Sequence, residues 1–128
     1  MSPKQVIKTS NAPDPVGPYN QAIIVDNTLY VSGQIALEPK TMEIVNQNID
    51  SETNQVMKNI SEILKAADMD FTNVVKTTIF LVDMRDFAAI NEIYGSYFDH
   101  KIAPARETVQ VAKLPKNVRV EISVIAIR

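Results

Sequence analysis

The chain has 128 residues, 45% apolar and 22% charged, with 13 basic and 15 acidic side chains, one His, and neither Cys nor Trp. One core of this size buries roughly two-thirds of the surface exposed on unfolding, so neither disulfide nor structural metal is needed. The lack of Cys excludes thiol catalysis, iron–sulfur clusters and thiolate zinc sites, while a net charge of −2 and a pI near 5.3 give no basic field for a phosphate backbone.

Met1 to Pro13 reads as polar and proline-flanked, and no apolar run approaches the ~20 residues that span a bilayer. The expectation is one cytoplasmic domain over residues 1–128. Pro13, Pro15 and Pro18 restrict Asn11 to Tyr19 to an extended or turning path. Gln21 to Val25 and Leu29 to Leu37, rich in β-branched and aromatic residues, flank Asp26-Asn27 and predict a hairpin. Val56, Ile60, Ile63, Leu64 and Ala67 keep helical spacing and predict a helix over about 51–68, with Asp50 or Ser51 as N-cap. Val74 to Val82 is a predicted strand. Phe87, Ile90, Tyr94, Tyr97 and Phe98 form the apolar stripe of a second helix, capped by Asp86. Glu107 to Ala112 and Val118 to Ile127 close the chain as strands around Leu114 to Asn117. This order predicts an α+β fold with both helices on one face of a mixed sheet.

Alternation sorts the strand residues by face. Val118, Val120, Ile122, Val124 and Ala126 suit the helices, against Arg119, Glu121, Ser123, Ile125 and Ile127. Leu29, Val31, Gly33, Ile35 and Leu37 oppose Tyr30, Ser32, Gln34 and Ala36; Val109 and Val111 oppose Arg106, Thr108 and Gln110. A second face that mixes Ile, Tyr and Ala with specific polar groups reads as covered. With no further helices to cover it, the expectation is a homo-oligomer.

Glycine is confined to Gly17, Gly33 and Gly95, too few and too scattered for a phosphate-cradling loop. The single His100 beside Asp99 and Lys101 reads as solvated at a helix end. Without Cys or a carboxylate spacing of the calcium-loop kind, no metal site is expected. Arg106 follows an apolar approach that ends in Pro104-Ala105 and opens a strand. Its planar fork binds a carboxylate or a phosphate and suits a small anionic substrate, and an ion pair with a neighbour such as Glu107 or Glu121 is the structural alternative. Glu121 interrupts an apolar strand, so it needs either a partner or a shifted pKa; a general acid/base and an interfacial ion pair both meet that condition. At Ser32-Gly33 a missing Cβ lets a ligand approach the backbone, or marks a bulge. The aromatic stripe reads as core.

Together, Gly17-Pro18-Tyr19 with Gln21-Ala22, Val31-Ser32-Gly33-Gln34-Ile35, Val75-Lys76-Thr77-Thr78 with Phe80, Phe87 with Asn91, Pro104-Ala105-Arg106, Val111-Ala112 with Leu114-Pro115, and Val120-Glu121-Ile122 resemble the reactive intermediate deaminase (RidA/YjgF) family. The resemblance runs over nearly the whole chain. It implies a chorismate-mutase-like fold, a homotrimer with a central barrel, and sites in clefts between subunits. It also implies cofactor-independent hydrolysis of 2-enamine and 2-imine acids, such as 2-aminoacrylate from pyridoxal-phosphate enzymes, to 2-keto acids and ammonia. On the matching motifs Arg106 holds the substrate carboxylate, Glu121 positions or activates water, and Tyr19, Ser32, Gly33 and Asn91 line the pocket. Thr108 stands where many members have Cys, and Glu107 where a small residue is usual; alternation aims Glu107 away from Arg106. The rival from another class is a non-catalytic regulatory protein that binds small carboxylates through Arg106 and acts through partners. An RNA-directed activity ranks below both, for want of a basic stripe. No membrane or nucleic-acid partner is expected.

Overall fold

A computed structural model describes residues 3–128. Six strands form one sheet: β1 (Gln5–Ile7), β2 (Ala22–Val25), β3 (Thr28–Gln34), β4 (Val74–Leu81), β5 (Ala105–Gln110) and β6 (Val120–Ile127), in the spatial order β1-β2-β3-β6-β4-β5. Only β4 and β5 run parallel. Helix α1 (Ile49–Ala66) carries the chain from β3 to β4, and α2 (Phe87–Gly95) from β4 to β5. Because β6 lies between β3 and β4, the first crossover is split around the last strand to be made. Glu121 thereby comes to rest beside Gly33, far away in sequence.

The amphipathic reading of α1 holds. Val56, Met57, Ile60, Ile63 and Leu64 are fully buried against Leu29, Ile79, Leu81, Val120 and Ile122. At ~25 cal/mol per Å² of apolar surface, each such side chain contributes about 1.5–3 kcal/mol before the entropy of ordering it is subtracted. The helix begins earlier than its apolar spacing suggests, because its N-cap is Asn48. Asn48 Oδ1 accepts from Ser51 N–H at 2.8 Å, while the Ser51 hydroxyl oxygen accepts from Asn48 N–H, so Ser51 is the third helical residue of a capping box. Asp86 likewise does not cap α2 with its side chain. Asp83 accepts from Arg85 N–H at the head of a 3-10 turn over Met84–Asp86 that feeds directly into the helix. The aromatic stripe is core as expected: Tyr94 is buried, and Phe87, Tyr97 and Phe98 pack against the cluster with Phe71.

The hairpin turns at Asp26-Asn27, with Asp26 in the left-handed region at φ 53°. Strand β1, at three residues too short to stand out in the sequence, pairs antiparallel with β2.

Two parity assignments fail, each for a local reason. The register of β3 against β6 slips between Val31 and Gln34, so Gln34 and Ala36 turn inward. The Ser32-Gly33 step is therefore a bulge as well as a site element. On β5 the assignment reverses, since Arg106 and Thr108 face the helix side while Val109 is exposed. As an edge strand at the margin of α2, β5 meets a helix layer too narrow to demand apolar residues. Glu107 points away from Arg106 as expected: it accepts from the Thr78 hydroxyl and pairs with Lys76 at 3.0 Å.

The start of β6 is tied to α1 by a buried carboxylate. Glu52, with no solvent exposure, accepts from the backbone N–H and the Nε of Arg119, both at 2.7 Å. Removing Arg119 would leave the buried Glu52 carboxylate without its charged partner, a destabilising change. No sequence period announces it.

Candidate active site

Glu121 lies on the sheet face away from the helices, between the fully buried Val120 and Ile122. It opens into a cleft of about 190 Å³, walled by Pro13, Val16, Tyr19, Ile35, Leu37 and Pro115. The charged groups at this cleft are Asp14 and Lys116 besides Glu121 itself. Among the described residues the Glu121 carboxylate has neither an ion pair nor a hydrogen-bond partner, and burial alone raises its pKa above the ordinary carboxylate value.

Gly33 is the floor of the site. A Cβ built there would stand 2.7 Å from Glu121 Oε2 and 2.9 Å from its carboxyl carbon, so the missing side chain is what admits the carboxylate. Ser32 sits beside it with its hydroxyl donated to the Asn20 carbonyl at 2.6 Å and its N–H to the Gln21 carbonyl at 2.9 Å. Ser32 thus opens toward the neighbouring groove with Tyr19 and Tyr30 rather than into the Glu121 cleft. The Tyr19 hydroxyl accepts from Val16 N–H at 3.3 Å, which folds the ring along its own loop.

Arg106 stands elsewhere. Its guanidinium donates to Asn91 Oδ1 at 2.7 Å, lies 5.1 Å from the centre of the Tyr94 ring and 5.8 Å from that of Phe87. Neither Glu107 nor Glu121 pairs with it. Tyr94 is itself pinned by a 3.0 Å bond from its hydroxyl to Thr77 Oγ1, so the aromatic bed under Arg106 is fixed. Asn91, expected to line the pocket, contacts the arginine and orients it. The unused guanidinium nitrogens keep their capacity for a carboxylate. Thr108, two residues on and on the same side, has its Oγ1 buried with no partner among the described residues. His100 is exposed, with Nε2 3.3 Å from the Gly95 carbonyl oxygen.

The six expected site residues therefore fall into two groups within one chain. Tyr19, Gly33 and Glu121 share the cleft on the open face at β3 and β6, with Ser32 opening on the groove beside it; Asn91 and Arg106 meet across α2 and β5 on the helix face, with β4 between β6 and β5. Sequence reasoning missed Tyr94 as the bed of Arg106 and Gln21 behind Tyr19. The first was read only as core, and the second works through backbone carbonyls that leave no pattern. Among the described residues no cluster of three or more His, Cys, Asp or Glu could hold a metal ion.

Fold and site together define an α+β protein with a half-buried carboxyl at a sheet bulge and an arginine held by Asn91 at the sheet edge. The family model described as Endoribonuclease L-PSP matches residues 9–128. The chain belongs to this family, the reactive intermediate deaminase (RidA/YjgF) family that its motifs resemble. It is 50% identical over 125 residues to the 2-iminobutanoate/2-iminopropanoate deaminase of Homo sapiens, covering 98% of this chain and 90% of that protein. A conserved Rid-family protein of unknown function from Yersinia pestis superposes with a TM-score of 0.95 at 46% identity, over 98% of this chain and 100% of that one. TdcF of E. coli, solved with bound serine, gives a TM-score of 0.91 at 39% identity, over 97% and 98%.

Proposed function

We propose that this protein hydrolyses reactive 2-imino and 2-enamino acids to 2-keto acids and ammonia, at sites assembled between copies of the chain. The observation that carries the mechanism is the half-buried Glu121 carboxyl against Gly33, without a partner among the described residues. Relatives named as 2-iminobutanoate/2-iminopropanoate deaminases supply the reaction class.

A 2-imino acid presents a carboxylate and an electrophilic C2. Arg106 grips the carboxylate through two parallel N–H donors, a charge-assisted contact of about 1.5–3 kcal/mol. Glu121 takes a proton from water as the water oxygen bonds to C2, and the electron pair of the C=N bond moves to nitrogen. The resulting carbinolamine accepts the proton back on nitrogen. Glu121 then takes the hydroxyl proton and passes it to nitrogen, so that the C–N bond breaks as the C=O bond forms, releasing ammonia and the 2-keto acid. An enamine enters the same path after tautomerising to the imine. A carboxyl raised toward the working pH suits both directions of transfer, and such catalysis typically supplies ~10²- to 10⁴-fold. The substrates hydrolyse readily by themselves, so this is enough.

Arg106 and Glu121 lie on opposite faces of one sheet, which favours a cleft that takes Arg106 from one copy and Glu121 from another. The open face, with Tyr30, Val75, Val109 and Ile127 exposed, suits the central barrel of a homotrimer. A cytoplasmic location belongs to the same proposal. None of the described helices is long and apolar enough to cross a membrane.

The test generates an imine in situ with an amino-acid oxidase and follows 2-keto acid and ammonia release. Acceleration over the uncatalysed rate, lost in Arg106→Ala and Glu121→Gln, supports the enzyme. Binding of 2-keto acids with no acceleration supports the non-catalytic carboxylate-binding regulator instead. Light scattering on the same preparation should give three times the 14.3 kDa chain mass.

A further inference from the structure

The segment 9–19 crosses the Glu121 cleft as a strap with no strand pairing of its own, and it contributes Pro13, Asp14, Val16 and Tyr19 to the wall. Its internal hydrogen bonds are local: Asn11 N–H to Thr9 Oγ1, Tyr19 N–H to the Gly17 carbonyl, and Val16 N–H to the Tyr19 hydroxyl. The side chain of Gln21, only 2% exposed, makes the bonds that join the strap to the sheet. Gln21 Oε1 accepts from Thr9 N–H at 2.8 Å. Its Nε2 lies 3.0 Å from the Thr9 carbonyl oxygen, 3.2 Å from that of Ala12 and 2.9 Å from that of Pro13. The same residue receives Ser32 N–H on its own carbonyl, one step from Gly33. One residue thus serves both features, its side-chain amide holding the wall of the cleft and its backbone carbonyl the bulge under the carboxylate.

We propose that Gln21 is a positioning residue for the reaction, a clasp that holds the strap closed over Glu121 and limits water in the cleft to what hydrolysis uses. The proposal rests on the role given to Glu121 above. A primary amide is the one side chain that can satisfy an N–H and several carbonyls at once in a buried, uncharged setting. The strap offers both kinds of group because its prolines keep it from pairing as a strand. Releasing it would hydrate the carboxyl, which burial now raises. The other titratable groups around this carboxyl are Asp14 and Tyr19 on the strap and Lys116 after β5. The nearest positions on β3 and β4, Gly33 and Phe80, carry no charge, and Arg119, just before β6, is engaged by Glu52.

The experiment compares kcat/KM against pH for the wild type, Gln21→Met, Pro13→Gly and Glu121→Gln, with amide hydrogen exchange at Thr9. Gln21→Met keeps length and burial but donates nothing. It should lower kcat/KM about tenfold or more, move the acid limb to lower pH, and strip protection from the Thr9 amide. Pro13→Gly loosens the strap while leaving the amide in place, so it should move the acid limb the same way even if Gln21→Met does not fold. An unmoved acid limb and near-normal kcat/KM in the folded variants would overturn the proposal and leave Gln21 a structural residue. Undiminished Thr9 protection in Gln21→Met would overturn it too. An acid limb that persists in Glu121→Gln would instead reject Glu121 as the titrating group, while the exchange data still judge the clasp.

Discussion

Gly33 and Glu121 occupy space that only a glycine can share: a Cβ on the first would stand 2.7 Å from Oε2 of the second. Both its nearest atoms belong to the carboxyl group, so an added methyl must push out the group proposed as the acid/base. Gly33→Ala should fold, since the carboxylate can swing into the cleft, but with the acid/base group displaced by an ångström or more. Turnover is expected to fall by about 10²-fold. Steady-state kinetics with a melting curve checks this; near-wild-type kcat in a folded Gly33→Ala would show that the carboxylate position is not critical.

Glu121 should cost the protein stability. Burial lifts its pKa above the ordinary 4.5, so the folded state binds its proton more tightly than the unfolded chain does. Stability from this group is therefore full at low pH and is lost as pH rises from 4.5 through the raised value. Glu121→Gln carries no charge to desolvate. Its melting temperature should exceed that of the wild type near about pH 7, and the gap should close as pH falls toward about 4, while turnover drops by roughly 10² or more. Melting curves across that range decide it, because the other carboxylates are common to both proteins.

At Arg106 shape should matter as much as charge. The guanidinium already spends one N–H on Asn91 and lies against Tyr94 and Phe87, an arrangement that an ammonium on a flexible stem cannot copy. Arg106→Lys is expected to be nearly as damaging as Arg106→Ala for imine turnover, with little change in melting temperature. Asn91→Ala, which frees the arginine without removing it, should act mainly on KM. A sharp fall in stability in Arg106→Ala with the rate retained would return Arg106 to a structural role.

Much of this was legible in the chain itself, for identifiable reasons. Helix α1 announces itself because Val56, Ile60, Ile63 and Leu64 repeat at helical spacing and every one is buried. The inward face of β6 reads directly from Val120, Ile122, Val124 and Ala126. Alternation breaks down where the backbone adds a residue, as at Ser32-Gly33, or where a strand runs past the edge of its helix layer, as at Arg106. The roles of Gln21 and Glu52 stay hidden, since each works through partners on backbone carbonyls or on an arginine 67 residues away. As for the separation of Arg106 from Glu121, alternation misplaced Arg106 on β5, and only the resemblance implied clefts between subunits. Motifs record which residues a site uses, not which copy of the chain supplies them.

That separation also yields the most direct test of the central claim, that one cleft draws Arg106 and Glu121 from different copies. Arg106→Ala and Glu121→Gln, each close to inactive alone, should be mixed by co-expression or by unfolding and refolding together. If each cleft takes the arginine from one chain and the carboxylate from the next, random trimers leave about one site in four with both groups intact, and about a quarter of wild-type imine hydrolysis should return. A mixed preparation no more active than the two variants measured apart would contradict the shared site.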